Sequence, residues 1–287
     1  MSERFAIVVD GTAALPANLA RELDISFLPV HVNFGDESFT QGVDLSFDQF
    51  YERLAKPDAK PSTSQPSLGE CRDTYDAAFK AGAVRILVVT LATELSGTYS
   101  AAVTAAQQHG QPIEVIDSRG TAGTTSLIAT ACARARRDGS TFEEATALAR
   151  KLAGNVKLRA IIDTLEQLKR SGRASGMQAM FGSLLKVKPI IQIENGKLDP
   201  IDKVRTREKA LARLQEIVEA QVAPGTKLHA SVIHTNAPDR AKVLSDWVAG
   251  RYHCVELYIA EAGPAIATHG GAGVLGLCWY PESLLGT

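Results

Sequence analysis

The sequence predicts an α/β protein in two parts: an N-terminal domain with a mainly parallel sheet over residues 1–155, and a C-terminal α+β two-layer domain over 156–287. Three observations predict it. Short apolar runs rich in β-branched residues alternate with helix-like stretches through the first half. A polar turn at Gly154-Asn155 ends that alternation. Beyond it the elements become fewer and longer and include an Asn-Gly hairpin.

Phe5-Ala-Ile-Val-Val-Asp10 reads as a buried strand, and Pro16 can stand in the first turn of the helix that follows. Ile25–Val32 reads as a further strand, with Pro29 assigning it to a sheet edge. Ser46-x-x-Gln49 is a capping box that opens a helix over Phe47–Leu54, and Ser67-x-x-Glu70 opens another through Ala81. Arg85–Leu91 and Ile113–Ile116 are strand-like, followed by helices near Gly97–Gln108 and Leu127–Arg137, and Thr141-x-x-Glu144 caps a helix through Leu152. In the second half, Ile190–Ile193 and Leu198–Val204 flank Asn195-Gly196 as a hairpin, with a charged amphipathic helix over 207–220. Strands are expected at Lys227–His234, Cys254–Ile259 and Gly273–Trp279, forming an antiparallel sheet.

Composition narrows the function. Lys and Arg total 31 against 32 Asp and Glu, so there is no field to draw in nucleic acid or an anionic membrane. Cys71, Cys132, Cys254 and Cys278 are scattered without metal-ligand spacing, as expected in a reducing compartment. The N-terminus lacks a basic flank before an apolar segment, and no run reaches membrane-spanning length, so the cytoplasm is the expected location and no membrane insertion is expected.

Four segments could carry chemistry. In Lys60-Pro-Ser-Thr-Ser-Gln-Pro-Ser67, Ser62, Thr63 and Ser64 form a hydroxyl loop stiffened by prolines, suited to an oxyanion and equally to a simple turn; Ser67 is a helix cap. Leu95-Ser-Gly-Thr-Tyr-Ser100 follows a strand and opens a helix, so Ser96 and Gly97 are either an anion site at the helix N-terminus or an ordinary cap. Arg170-Ser-Gly-Arg173 places cations after a helix, toward an anion or as dipole complement. His269 lies in a glycine-rich stretch, Gly263–Gly273, read as a turn where the imidazole could donate to a buried carboxylate. Asp10 and Asp117 end strands as turn-capping residues; Asp10 could also orient a hydroxyl or bind a cation, although no further acids stand at ligand spacing. Met177, Met180, Phe181 and Leu184 form an apolar stripe at helical spacing that could be core or could adapt to an acyl chain. The glycines of 263–273 do not match a Walker A loop, no GxGxxG follows the first strand and GxSxG is absent around Ser96, so no catalytic residue, metal or cofactor is assigned.

In order along the chain, Asp10-Gly-Thr12, Thr63-Ser-Gln-Pro66, Leu95-Ser-Gly-Thr-Tyr99, Asp117-Ser118, Ser171-Gly-Arg173, Lys188-Pro189, Arg205-Thr206, Gly263-Pro264 and Thr268-His269 resemble the DegV family, the fatty-acid-binding subunits of a bacterial fatty acid kinase. The sequence departs from the family pattern at Gly11, often serine, and at Ala272, proline in some members. The resemblance implies a long-chain fatty acid held between two domains, its carboxylate on Thr63, Ser96 and His269, for phosphorylation by a separate kinase subunit. Ser62, Ser64, Gly97, Arg170, Arg173 and Arg205 would support the head group or dock the kinase. The protein would be a carrier and not an enzyme; the alternative is a serine hydrolase or acyltransferase using Ser96. Burying about sixteen carbons at roughly 0.8 kcal/mol per methylene would supply on the order of ten kcal/mol before binding costs.

Overall fold

A computed structural model describes residues 4–173 and 187–286. The first half contains β1 (Phe5–Asp10), α1 (Ala17–Glu22), β2 (Ile25–Leu28), β3 (His31–Phe34), β4 (Glu37–Thr40), α2 (Phe47–Leu54), β5 (Ser62–Ser64) and α3 (Leu68–Lys80). It continues with β6 (Arg85–Thr90), α4 (Thr98–His109), β7 (Ile113–Asp117), α5 (Gly123–Arg137) and α6 (Phe142–Leu152). Then come β8 (Lys157–Ile161), α7 (Glu166–Arg170), β9 (Lys188–Glu194), β10 (Lys197–Val204) and α8 (Arg207–Glu219). The chain closes with β11 (Lys227–His234), α9 (Pro238–Arg251), β12 (His253–Glu261), α10 (Gly263–Gly270) and β13 (Leu275–Pro281).

Strands β2-β1-β6-β7 form a four-stranded parallel sheet. Ile7, Val9, Leu87 and Val89 on one face join the core cluster that also holds α5, whereas Val8, Ile86 and Val88 face the cluster built with α3 and α4. Burial on both faces is why these runs are continuously apolar. All three capping boxes form as expected, with Ser46, Ser67 and Thr141 each accepting from the backbone three residues on.

The second sheet has six strands in the order β10-β9-β8-β13-β11-β12. It is mixed, where an antiparallel sheet was expected: β11 and β12 run parallel. The reason is α9, a crossover helix that the sequence reading did not identify. The Asn195-Gly196 turn forms with both φ angles positive, at 50° and 78°, as a tight hairpin requires. Helix α5 contacts β1 and β6 of one sheet and β8, β11 and β13 of the other. Its residues Gly123–Ala133 are all buried, and close packing explains why all but Leu127 and Ile128 are small.

Two further expectations are corrected. The run 25–32 is two strands, because Pro29 cannot donate to a ladder; β2 ends the parallel sheet, and β3 enters a separate antiparallel sheet in the order β4-β3-β5. The hydroxyl loop is that sheet's edge strand, with Thr63 opposite Val32. The glycine-rich stretch is a helix over 263–270, since Pro264 sits in its first turn and small residues let it pack closely.

Candidate functional site

Parallel topology brings the C-terminal ends of β1, β6 and β7 to one edge, where Asp10, Thr90 and Asp117 finish their strands. Asp10 is buried, and its carboxylate accepts from Thr12 N–H (2.8 Å), Thr12 Oγ1 (2.5 Å) and Leu91 N–H (2.6 Å). Burial pushes its carboxyl above the usual range, while the bonds from Thr12 and Leu91 oppose that shift. Of the roles open to Asp10, the structure realises hydroxyl orientation: Thr12 Oγ1 lies 3.4 Å from Thr121 Oγ1, and both residues line a cavity of about 390 Å³. That volume lies within the roughly 300–1,000 Å³ of small-molecule sites. Asp117 is a turn cap that accepts from Thr93 Oγ1 at 2.8 Å and Arg119 N–H at 2.7 Å.

The cavity floor is one face of the six-stranded sheet. Leu158, Ala160 and Ile162 share a face by the period of two, and Ala160 pairs with Ile191, placing Ile193 beside Leu158. Across the next strands Ala160 pairs with Gly276 and Gly276 with Ile233. The row therefore runs large, small, bare, large, and leaves a furrow. A Cβ on Gly276 would stand 3.0 Å from both Ala160 Cβ and Ile233 Cγ1. Leu168, Ile266 and Val274 complete an apolar wall.

At the polar end the structure brings together Thr63, Ser64, Ser96, Gly97, Arg173 and His269. Thr63 Oγ1 is 2.9 Å from His269 Nε2, linking β5 to α10 across 206 positions. His269 Nδ1 is buried with no partner among the described residues. Burial and the nearby Arg173 charge lower the imidazole to about 4, so it is neutral near neutral pH. Ser96 Oγ lies 2.9 Å from Thr98 Oγ1 and accepts weakly from Thr98 N–H at 3.3 Å. The N-cap of α4 is Gly97, which offers no side-chain acceptor, so first-turn N–H groups remain available to an anion. Gly97 lies close against the end of the Gln65 side chain, which a Cβ there would push aside. Arg173 is held by Leu95 O (3.4 Å) and Ser171 O (2.6 Å). Ser96, Gly97 and Arg173 also line an adjoining cleft with Lys197 and Asp199.

Other candidates lie elsewhere. Ser62 is exposed on β5, outside the cavity lining. Arg170 is exposed and donates to Ala59 O at 3.2 Å, and Arg205 is exposed just before α8. Met177, Met180, Phe181 and Leu184 fall outside the described residues. Gln65, left like its hydroxyl neighbours without a structural task in the sequence, lines the cavity, whereas sequence reasoning missed Thr121 and Ala122. Ala122 has φ 52°, a left-handed conformation unusual for a residue with a side chain, and no sequence signal announces it.

A family model described as an uncharacterised-protein DegV family matches residues 4–282. A DegV domain-containing protein of Streptomyces coelicolor is 38% identical over 279 residues, covering 96% of this chain and 98% of that protein. The crystal structure of DegV, a fatty acid binding protein from Bacillus subtilis, has a TM-score of 0.86 at 33% identity, covering 97% of this chain and 99% of its own. A DegV lipid binding protein from Thermotoga maritima gives 0.88 at 28% identity, again covering 97% and 99%.

Proposed function

The chain belongs to the DegV family, and from that premise we propose that it binds a long-chain fatty acid in the cavity between its two large sheets. The carboxylate is held at Thr63 and Ser96, ready for phosphorylation by a separate ATP-using kinase. The observation that carries this reading is an apolar furrow that ends at hydroxyls, a helix N-terminus and a neutral, half-satisfied imidazole. The acyl chain supplies affinity by leaving water, and the carboxylate keeps its charge only if donors replace its hydration. In the tautomer with the proton on Nε2, His269 donates to Thr63 Oγ1 and turns the threonine's own proton toward the ligand. His269 is then a positioning residue for Thr63, while Asp10 does the same for Thr12. Rotatable hydroxyls suit a head group that changes from carboxylate to acyl phosphate better than a fixed cation would.

Ser64 and Gly97 support this end, whereas Ser62, exposed on β5, does not reach it. Arg173, which lines the cavity and acts on His269, is the cation placed at this end among the described residues, and Arg170 and Arg205, away from the cavity, are available to a partner surface. A hydrolase using Ser96 is disfavoured because the partner of His269 is Thr63, while Ser96 bonds to Thr98. The test is ligand binding by Ser96→Ala and Thr63→Ala. Strong weakening with an intact fold supports the proposal, and unchanged affinity removes these residues from the site.

A further inference from the structure

The buried hydroxyl of Thr12 gives its proton to Asp10 Oδ1 at 2.5 Å, which leaves its lone pairs as acceptors. Its neighbour is Thr121 Oγ1 at 3.4 Å, well beyond the roughly 2.5–3.0 Å of a good O–H···O bond. The Thr121 hydroxyl has no other partner among the described residues, yet Thr121 too is buried and lines the cavity. Asp10 explains a threonine at position 12. Nothing local explains one at 121: the tight turn into α5 uses only its main chain, with Thr124 N–H donating to Thr121 O at 3.0 Å and Ala122 at φ 52° and ψ −119°. Valine, the same shape without the hydroxyl, would line the cavity for a plain hydrocarbon and leave no poorly paired polar group.

This pair stands apart from the head-group residues. Helix α4, which Ser96 precedes, packs with Val8, Ile86 and Val88 on one face of the parallel sheet, and α5, which Thr121 precedes, packs with Ile7, Val9, Leu87 and Val89 on the other. Ser96 shares its cleft with Leu198 on β10, whereas Gly123, two residues after Thr121, lies so near β11 that an added Cβ would stand 3.1 Å from Ile233 Cγ2. In the order β10-β9-β8-β13-β11 those two strands are four spacings apart, roughly 19 Å at about 4.8 Å each. An acyl chain anchored at Ser96 and laid along the furrow therefore meets Thr121 along its length and not at its carboxyl.

We propose that Thr121, backed by Thr12, is a subsite for a hydroxyl carried by the acyl chain itself, so that the ligands of this protein include long-chain acids hydroxylated away from the carboxyl. The inference rests on the fatty-acid reading above and names a substrate class for the same cavity. Thr121 Oγ1 donates to the ligand oxygen, and the lone pairs of Thr12 Oγ1 accept the ligand's proton. A buried hydroxyl is costly unless it is hydrogen-bonded, and the pair supplies both a donor and an acceptor in an otherwise apolar stretch. The oxygen recognised is neutral, because the Asp10 carboxylate directly behind Thr12 disfavours a second anion there.

Titration calorimetry tests this with stearic acid, α-hydroxystearic acid and a set of stearic acids hydroxylated near mid-chain. An apolar wall would reject a mid-chain hydroxyl by roughly tenfold or more, so the expected result is at least one mid-chain isomer that the wild type binds within about threefold of stearic acid, or more tightly. Thr121→Val should lower the ratio of that isomer's affinity to that of stearic acid by about tenfold or more, and Thr121→Ser should restore it. The α-hydroxy isomer, whose hydroxyl stays beside the carboxyl, should not show this loss. The proposal is overturned if the wild type rejects every mid-chain isomer by about tenfold, if the ratio is the same in Thr121→Val, or if the loss is confined to the α-hydroxy isomer. Stearic acid bound without any of these effects removes only the hydroxyl subsite. A wild type that binds none of the acids removes the fatty-acid reading, and the subsite with it.

Discussion

Replacing Thr63 by alanine removes two interactions at once. In the free protein it strips His269 Nε2 of its partner, and Nδ1 already has none among the described residues, so the imidazole becomes an unsatisfied group in a buried site. Leaving one buried polar group unpaired costs about 1–3 kcal/mol of stability. In the complex the carboxylate loses a hydroxyl donor, and hydrogen bonds to charged groups contribute about 1.5–3 kcal/mol, which is roughly 10- to 150-fold in Kd. Thr63→Ser keeps the hydroxyl and should stay within about threefold of wild type, and Ser62→Ala, exposed on the same strand, should change little. Titration calorimetry with palmitate measures affinity, and denaturant unfolding measures the stability term separately. Thr63→Ala binding palmitate within about threefold of wild type would refute the assignment of the head group to this hydroxyl, because that change is below 1 kcal/mol.

Further predictions follow from the same geometry. With His269 at about 4 when folded and near 6.5 when unfolded, the unfolded chain takes up the proton first; stability is full above about pH 6.5 and declines toward pH 4 by up to roughly 3 kcal/mol, a slope that His269→Gln should flatten in acid-unfolding curves. A bound carboxylate should raise that imidazole's titration point, visible by NMR; an unmoved value would place the head group elsewhere. Asp10→Ala leaves two backbone N–H donors and the Thr12 hydroxyl without their acceptor and should cost about 3–5 kcal/mol in denaturant unfolding. Ala160→Phe fills the furrow beside Ile191 and Gly276 and should weaken long acyl chains by about 0.8 kcal/mol per displaced methylene while sparing shorter ones, as read by competition among acids of graded length.

Local rules made much of this legible in sequence. The capping boxes at Ser46, Ser67 and Thr141, the Asn195-Gly196 turn and the buried strands β1 and β6 each follow from residues within a few positions of one another. What failed depends on distant partners. Ser62–Ser64 reads as a loop because its strand character comes from pairing with β3, some thirty positions away. The helix at 263–270 hides behind glycines that close packing selects, and α9 went unread, which made the sheet appear wholly antiparallel. Thr63, Ser96 and His269 carried hydroxyl and imidazole chemistry that could be noticed one at a time. The furrow could not be read so, because it exists only in the row Ile191, Ala160, Gly276 and Ile233 across four strands.

Native mass spectrometry of the freshly purified protein, under conditions that keep lipids bound, tests the central claim most directly. The account predicts one fatty acid of long acyl length per chain, retained by the wild type and depleted in the Thr63→Ala/Ser96→Ala double variant. A wild-type protein that carries no fatty acid and takes up none when it is supplied would contradict it.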